Sequence, residues 1–198
     1  MSIDRAAFVE PSFSGPLDVD AYLRLVQPGA TVKGMQFQGL LDECAQRGRP
    51  IPGRRYVGFR DYPGEELVEL LAMCAERLYP DEPPREGLRR LGRIAYPTLK
   101  KSLLGKIVFS ALGNDITMLL KLVTKAYSLS GNTGRADVLE VGDGEAFVHL
   151  EEIYTFIDAW HVGIIEGAVT TYAKDPVVRM KRLSPKAADF WVRWTPLG

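Results

Sequence analysis

Cysteine and histidine are nearly absent from this chain, two of each in 198 residues. Cys44 and Cys74 both fall on helical patterns, so two buried thiols in a reducing compartment are expected rather than a disulfide. His149 and His161 are too few for the three or four convergent ligands of a zinc site. Net charge is absent too: Lys plus Arg and Asp plus Glu number 25 each. That balance gives no general attraction to nucleic acid, and no basic arm or acidic tail breaks it. No apolar run approaches the roughly 20 residues of a membrane span. The opening MSIDRAAFVEPSFSGP carries Asp4 and Glu10 and no apolar core, so it is not read as a signal peptide. The expectation is a soluble, cytoplasmic protein with no nucleic-acid partner and no membrane span. A serine nucleophile elbow, a dinucleotide-binding fingerprint and a kinase signature are also missing. So are internal repeats and low-complexity tracts.

What is present is enough apolar sequence, 46%, for a sizeable core. Residues 1–30 read as an N-terminal extension in which Asp18 caps a short helix, VDAYLRLV. Residues 31–198 read as one α+β domain. Its helical half, 31–128, opens with a helix over Lys33–Arg47. An irregular loop rich in proline and glycine follows, made locally basic by Arg47, Arg49, Arg54 and Arg55. Leu67, Leu70, Leu71, Cys74 and Leu78 then mark a clear amphipathic helix after Pro63-Gly64. REGLRRLGRIAY predicts a shorter helix ending before Pro97. Leu99–Leu112 predicts a fourth, and Ile116, Leu119, Leu120 and Val123 mark a fifth.

After SLSGNTGR the period changes from 3.6 to 2, and residues 136–194 read as strand, strand, helix, strand, strand. Asp143-Gly144 is a two-residue hairpin signal. Phe147 and His149 share one face of the second strand, Val148 and Leu150 the other. Apolar residues on both faces predict cover on both sides. A long helix is expected over Thr155–Ala173, with Asp158 three residues into a weak capping pattern. Ala159, Gly163 and Gly167 recur every four residues. This smooth stripe is expected to press the helix against the sheet, since each glycine costs about 1 kcal/mol of helix propensity against alanine. In the last strand Phe190 and Val192 face the core and Trp191 the opposite side. The fold class is thus α+β: four to five N-terminal helices packed on a four-stranded antiparallel sheet in ββαββ order with one long helix.

The chemistry-bearing residues each admit a plain reading. His149 and His161 are either ligands or hydrogen-bonded structural histidines, the latter favoured. Glu151, Glu152 and Asp158 cluster in sequence, yet a solvated strand end and a helix cap account for them. Glu166 sits between two glycines on an apolar helix. If buried it is a ligand contact or, like His149, an acid or base; if exposed it is a surface charge. Gly131–Arg135 could form an anion nest, but it reads as a connector without the lysine of a phosphate loop. The arginine-rich loop either contacts an acidic partner or is solvated. Aromatics concentrate in the last third, where they line a cavity or fill the core.

The pieces KGMQFQGLL, LYP with LRRLGR, LLGK, SGNTG and FWVRW follow one another over about residues 33 to 194. In them the chain resembles a paralogous family of unknown function restricted to myxobacteria, which implies no activity and no site residues. At fold level it resembles the 4-vinyl-reductase and haem–nitric-oxide-binding group, whose members bind small apolar molecules, acyl chains or haem. The haem binders carry a Tyr-x-Ser-x-Arg pattern. Tyr127-Ser128-Leu129-Ser130-Gly131 lacks its arginine, and no cysteines accompany the last hairpin. Neither haem nor a thiolate-bound metal is therefore implied, and no cofactor is expected.

The leading expectation is a non-enzymatic sensor or binding module for a small, mostly apolar ligand. Trp160, Ile164, Glu166, Phe190 and Tyr127 are its candidate contacts. A homodimeric interaction scaffold is the alternative, with Trp191, Arg54 and Arg55 as candidate surface residues. A small-molecule enzyme using Glu166 or His149 is the third.

Overall fold

A computed structural model of the chain describes residues 3–101, 116, 119, 120, 124 and 127–197. Helices α1 (Val19–Leu23), α2 (Gly34–Gln46), α3 (Gly64–Leu78) and α4 (Pro84–Lys101) precede the main sheet. Asp18 caps α1, its side chain accepting from the Ala21 amide at 2.8 Å. Strands β1 (Thr31–Lys33) and β2 (Asp61–Pro63) pair antiparallel and bracket α2, a small sheet the sequence did not announce. The expected fourth and fifth helices, Leu99–Leu112 and 114–123, lie largely outside the described residues. The described positions 116, 119, 120, 124, 127 and 128 are helical.

The main sheet has strands β3 (Arg135–Gly142), β4 (Glu145–Glu151), β5 (Ala173–Ser184) and β6 (Ala187–Pro196). All pairings are antiparallel, in the order β3-β4-β6-β5. Gly144, at φ +77°, makes the β3–β4 turn, as the Asp-Gly dipeptide predicts. Helix α5 (Trp160–Thr170) joins the two hairpins. The chain is therefore α+β in the expected ββαββ order, and among the described residues no helix is long and apolar enough to cross a membrane.

Three local expectations are corrected. Helix α4 runs through Pro97 to Lys101 instead of stopping before it. Proline withholds one helical donor, from the carbonyl four residues back. That carbonyl, on Arg93, is where Gly167 packs. The long helix begins at Trp160, not Thr155, and ends at Thr170. Phe156 takes a positive φ of 44°, and the Thr155 hydroxyl pairs with His161 Nε2 at 2.9 Å instead of capping the helix.

The third correction concerns the glycine stripe. It faces α4, not the sheet. A Cβ on Gly163 would lie under 3.0 Å from the Arg89 carbonyl, one on Gly167 under 3.0 Å from that of Arg93, and one on Gly92 under 3.0 Å from that of Trp160. Two helices thus meet backbone to backbone through three glycines. The sheet instead receives the Val162, Ile165 and Val169 side of α5, over Val148, Phe190 and Val192. Two cores result. One gathers α1–α4 with Tyr154, Phe156 and Trp160, and the other lies under the sheet.

The opposite face of the sheet is partly covered. Arg5 and Phe8 lie over it, and Val9 is bridged to Met180 at the β5 edge. Phe8 packs edge-on against Phe147 at 5.6 Å and Trp191 at 6.3 Å. The N-terminal extension therefore supplies the second cover that the β4 pattern called for. A part-buried ionic knot ties α1, α4 and β5 together: Asp158 accepts from the Tyr22 hydroxyl at 2.7 Å and pairs with Arg85 and Arg182.

Candidate functional site

Strand β3 alternates until Leu139. There a bulge shifts its register against β4 between Val138 and Glu140. Strict alternation would put Val138 and Val141 on opposite faces. The extra residue returns both to the core side, where they pack with Ile116, Leu120 and Tyr127. Leu139 is pushed outward and exposed. The bend opens a groove of about 330 Å³ between β3 and the helical segment above it. Among the described residues it is lined by Leu120, Thr124 and Asp137 through Val141. The volume falls at the lower end of the roughly 300–1,000 Å³ usual for small-molecule sites. Its lining is mixed: Leu120, Val138, Leu139 and Val141 are apolar, while Thr124, Asp137 and Glu140 are polar. A second recess, about 160 Å³, lies between residues 10–13, α5 and β5.

The expected contact residues do not share one cavity. Trp160 belongs to the helical core and Phe190 to the core under the sheet. Ile164 is half-buried at the edge of the first. Tyr127 is half-buried beside the second, its ring 6.1 Å from the His161 ring. Burial raises its phenol well above the ordinary range. Glu166 is buried, and both its oxygens are taken. Arg89 donates to Oε1 from Nη2 at 2.7 Å and to Oε2 from Nε at 2.9 Å, while Arg93 Nε donates to Oε2 at 2.6 Å. This carboxylate locks α5 to α4.

His149 Nδ1 meets Asp189 Oδ1 at 2.7 Å across β4 and β6, and the groove-lining residue Asp137 stands opposite His149 on β3. His161 is only 4% exposed, and burial pushes its imidazole down to about 3. Among the described residues no cluster of three metal-ligating side chains forms. Trp191 is half-buried; its Nε1 donates to Glu145 at 2.9 Å, and Phe8 and Phe147 flank its ring. Arg54 and Arg55 lie in the loop before β2. The groove residues escaped the sequence reading because only the bulge brings Val138 and Val141 together. The one available signal was their spacing of three inside a period-two strand.

Residues 25–195 match DUF2378, a protein family of unknown function. The chain belongs to this family. No curated protein matches it. Solved structures do. An H-NOX protein from S. oneidensis in the Fe(II) ligation state aligns with a TM-score of 0.64 at 15% identity, covering 84% of this chain and 97% of that one. An unliganded Fe(II) H-NOX protein from K. algicida aligns at 0.61 and 13% identity, over 83% and 97%. An oxygen-binding H-NOX domain related to soluble guanylate cyclases aligns at 0.59 and 17% identity, over 83% and 93%. At such identities the likeness is one of fold. This DUF2378 chain has the H-NOX architecture, which bears out the fold-level resemblance to haem–nitric-oxide binders.

Proposed function

We propose that this DUF2378 protein is a non-enzymatic binding module that takes a small, mostly apolar molecule into the groove between β3 and the helical segment carrying Leu120 and Thr124. The bulge at Leu139 carries the reading. It turns two valines to one side and opens about 330 Å³ over the sheet core in a fold whose solved relatives hold ligands.

The donor set does not fit a haem. Neither imidazole is among the groove's lining residues: His149 is held by Asp189, and His161 is buried against Thr155. Among the described residues its lining offers hydroxyl and carboxylate oxygens from Thr124, Asp137 and Glu140. Haemin added to the purified protein is expected to give no histidine-ligated Soret band. Such a band, lost on His161→Gln, would remove this part of the reading.

Native mass spectrometry against the denatured mass tests the module itself. Extra mass that dissociates as a small apolar compound is expected from wild type and not from Val138→Trp, whose ring would occupy the groove. Equal retention by the variant, or a doubled mass with no small molecule, would overturn the assignment.

A further inference from the structure

We infer that the loop from Arg47 to Arg60 is a docking surface for an anionic phospholipid membrane. The inference is independent of the groove on β3.

Between residues 47 and 60 stand five arginines and no acid. The flanking acids neutralise only the first of the five. Glu43 takes Arg47, Asp61 takes Lys33, and Asp42 accepts from Gln38. Arg49, Arg54, Arg55 and Arg60 have no acidic partner within ion-pair distance among the described residues. The loop is thus strongly cationic in a chain whose total charge is zero.

The loop also carries two large apolar side chains in water. Phe59 is 72% exposed and Val57 is 64% exposed. A loop free to relax would tuck them in, and this one is fixed at its base. Tyr56 stacks on Phe37 at 4.5 Å and meets Tyr62 edge-on at 4.8 Å. The Met35 amide donates to the Gly58 carbonyl at 2.9 Å, the Gly34 amide to Arg60 at 2.8 Å, and the Val57 amide to the Tyr62 hydroxyl at 2.9 Å. Gly34 admits the loop against α2: a Cβ there would lie under 3.0 Å from the Val57 carbonyl. The aromatic base turns inward and the two apolar side chains are held outward.

A fixed loop that presents apolar side chains between unpaired arginines matches the boundary between lipid headgroups and acyl chains. There cations meet phosphate and carboxylate while hydrocarbon meets hydrocarbon. Val57 decides against nucleic acid, since an isopropyl group has no face on which a base can stack. An acidic protein would need a concave apolar seat for the Phe59 tip, whereas a bilayer accepts a convex tip without a matching shape.

The test is co-sedimentation of the whole chain with vesicles of phosphatidylcholine alone and of phosphatidylcholine mixed with phosphatidylserine. Binding is expected only to the mixture, and it should weaken as salt rises. Each arginine near an anionic surface strengthens binding about fivefold, so Arg54→Ala with Arg55→Ala should weaken it about twenty-five-fold. Phe59→Ser should weaken it about tenfold or more. All three positions lie outside the cores, and circular dichroism should show the variants folded. In a Phe59→Trp variant the added fluorescence should shift to the blue on the mixed vesicles and be quenched by brominated acyl chains. Failure to sediment with the mixture, binding indifferent to these substitutions, or tight binding to an acidic peptide or single-stranded RNA without vesicle binding would each overturn the inference.

Discussion

Gly163→Ala should destabilise the protein by about 3 kcal/mol or more, although alanine is the better helix former by about 1 kcal/mol. The new methyl would lie under 3.0 Å from the Arg89 carbonyl and 3.0 Å from the Arg93 amide nitrogen, which are backbone atoms inside another helix and have no rotamer to change. Helices α4 and α5 would have to separate. Separation would also lengthen the four N–H···O bonds that Arg89 and Arg93 make to Glu166. Gly39→Ala is the control. It lies inside α2, and the nearest foreign atom to its added methyl is Thr98 Cγ2 at 4.0 Å. There the propensity gain should dominate, raising stability by up to about 1 kcal/mol. Urea titrations of the two variants should therefore move in opposite directions. Equal small gains from both would show that the α4–α5 seam is not closed backbone to backbone.

Acid should unfold the protein from a pH well above the carboxylate range. The His161 imidazole ionises at about 3 in the folded chain against 6.5 in a solvated one, because burial disfavours the charged ring. Between those values the unfolded chain binds a proton that the folded chain refuses, so stability falls as pH falls. Full stability holds above 6.5, and the loss is complete near 3. Across the window it amounts to on the order of 4–5 kcal/mol, at 1.36 kcal/mol per unit.

Asp158 extends the loss at the acid end. Burial alone would raise its pKa. Hydrogen bonds from Tyr22 and Arg85 and the charges of Arg85 and Arg182 outweigh that and hold it below 3.8. Its contribution is present above 3.8 and disappears as pH falls through its folded value. His161→Gln keeps a hydrogen-bonding partner for Thr155 and removes the ionisation. Urea midpoints measured between about pH 7 and about pH 4 should slope steeply for wild type and stay nearly flat for the variant. A steep slope in both would place the acid sensitivity elsewhere.

Much of this architecture is legible in the sequence. The apolar spacing in α3, the Asp18 cap, the Asp143-Gly144 turn and the alternation around Phe190 each report on a segment's own geometry. The capping guess at Thr155 failed because its hydroxyl has a competing partner, a histidine six residues on. The stop at Pro97 failed because a helix survives one missing donor when a neighbouring element covers the freed carbonyl. For the groove the obstacle was different. A bulge is one extra residue, and nothing in a strand pattern distinguishes it from a change of face.

Sequence by itself determined the order and type of the long elements, the apolar side of α3 and of the last strand, and that a smooth glycine stripe must meet something closely. Only the tertiary structure decided what each face meets. The stripe meets α4, Phe147 meets the N-terminal segment, Glu166 meets two arginines, and Phe59 meets solvent. The reason is that periodicity is a local property of one segment, while partner choice depends on contacts between residues far apart in the chain, which close only when the whole core packs.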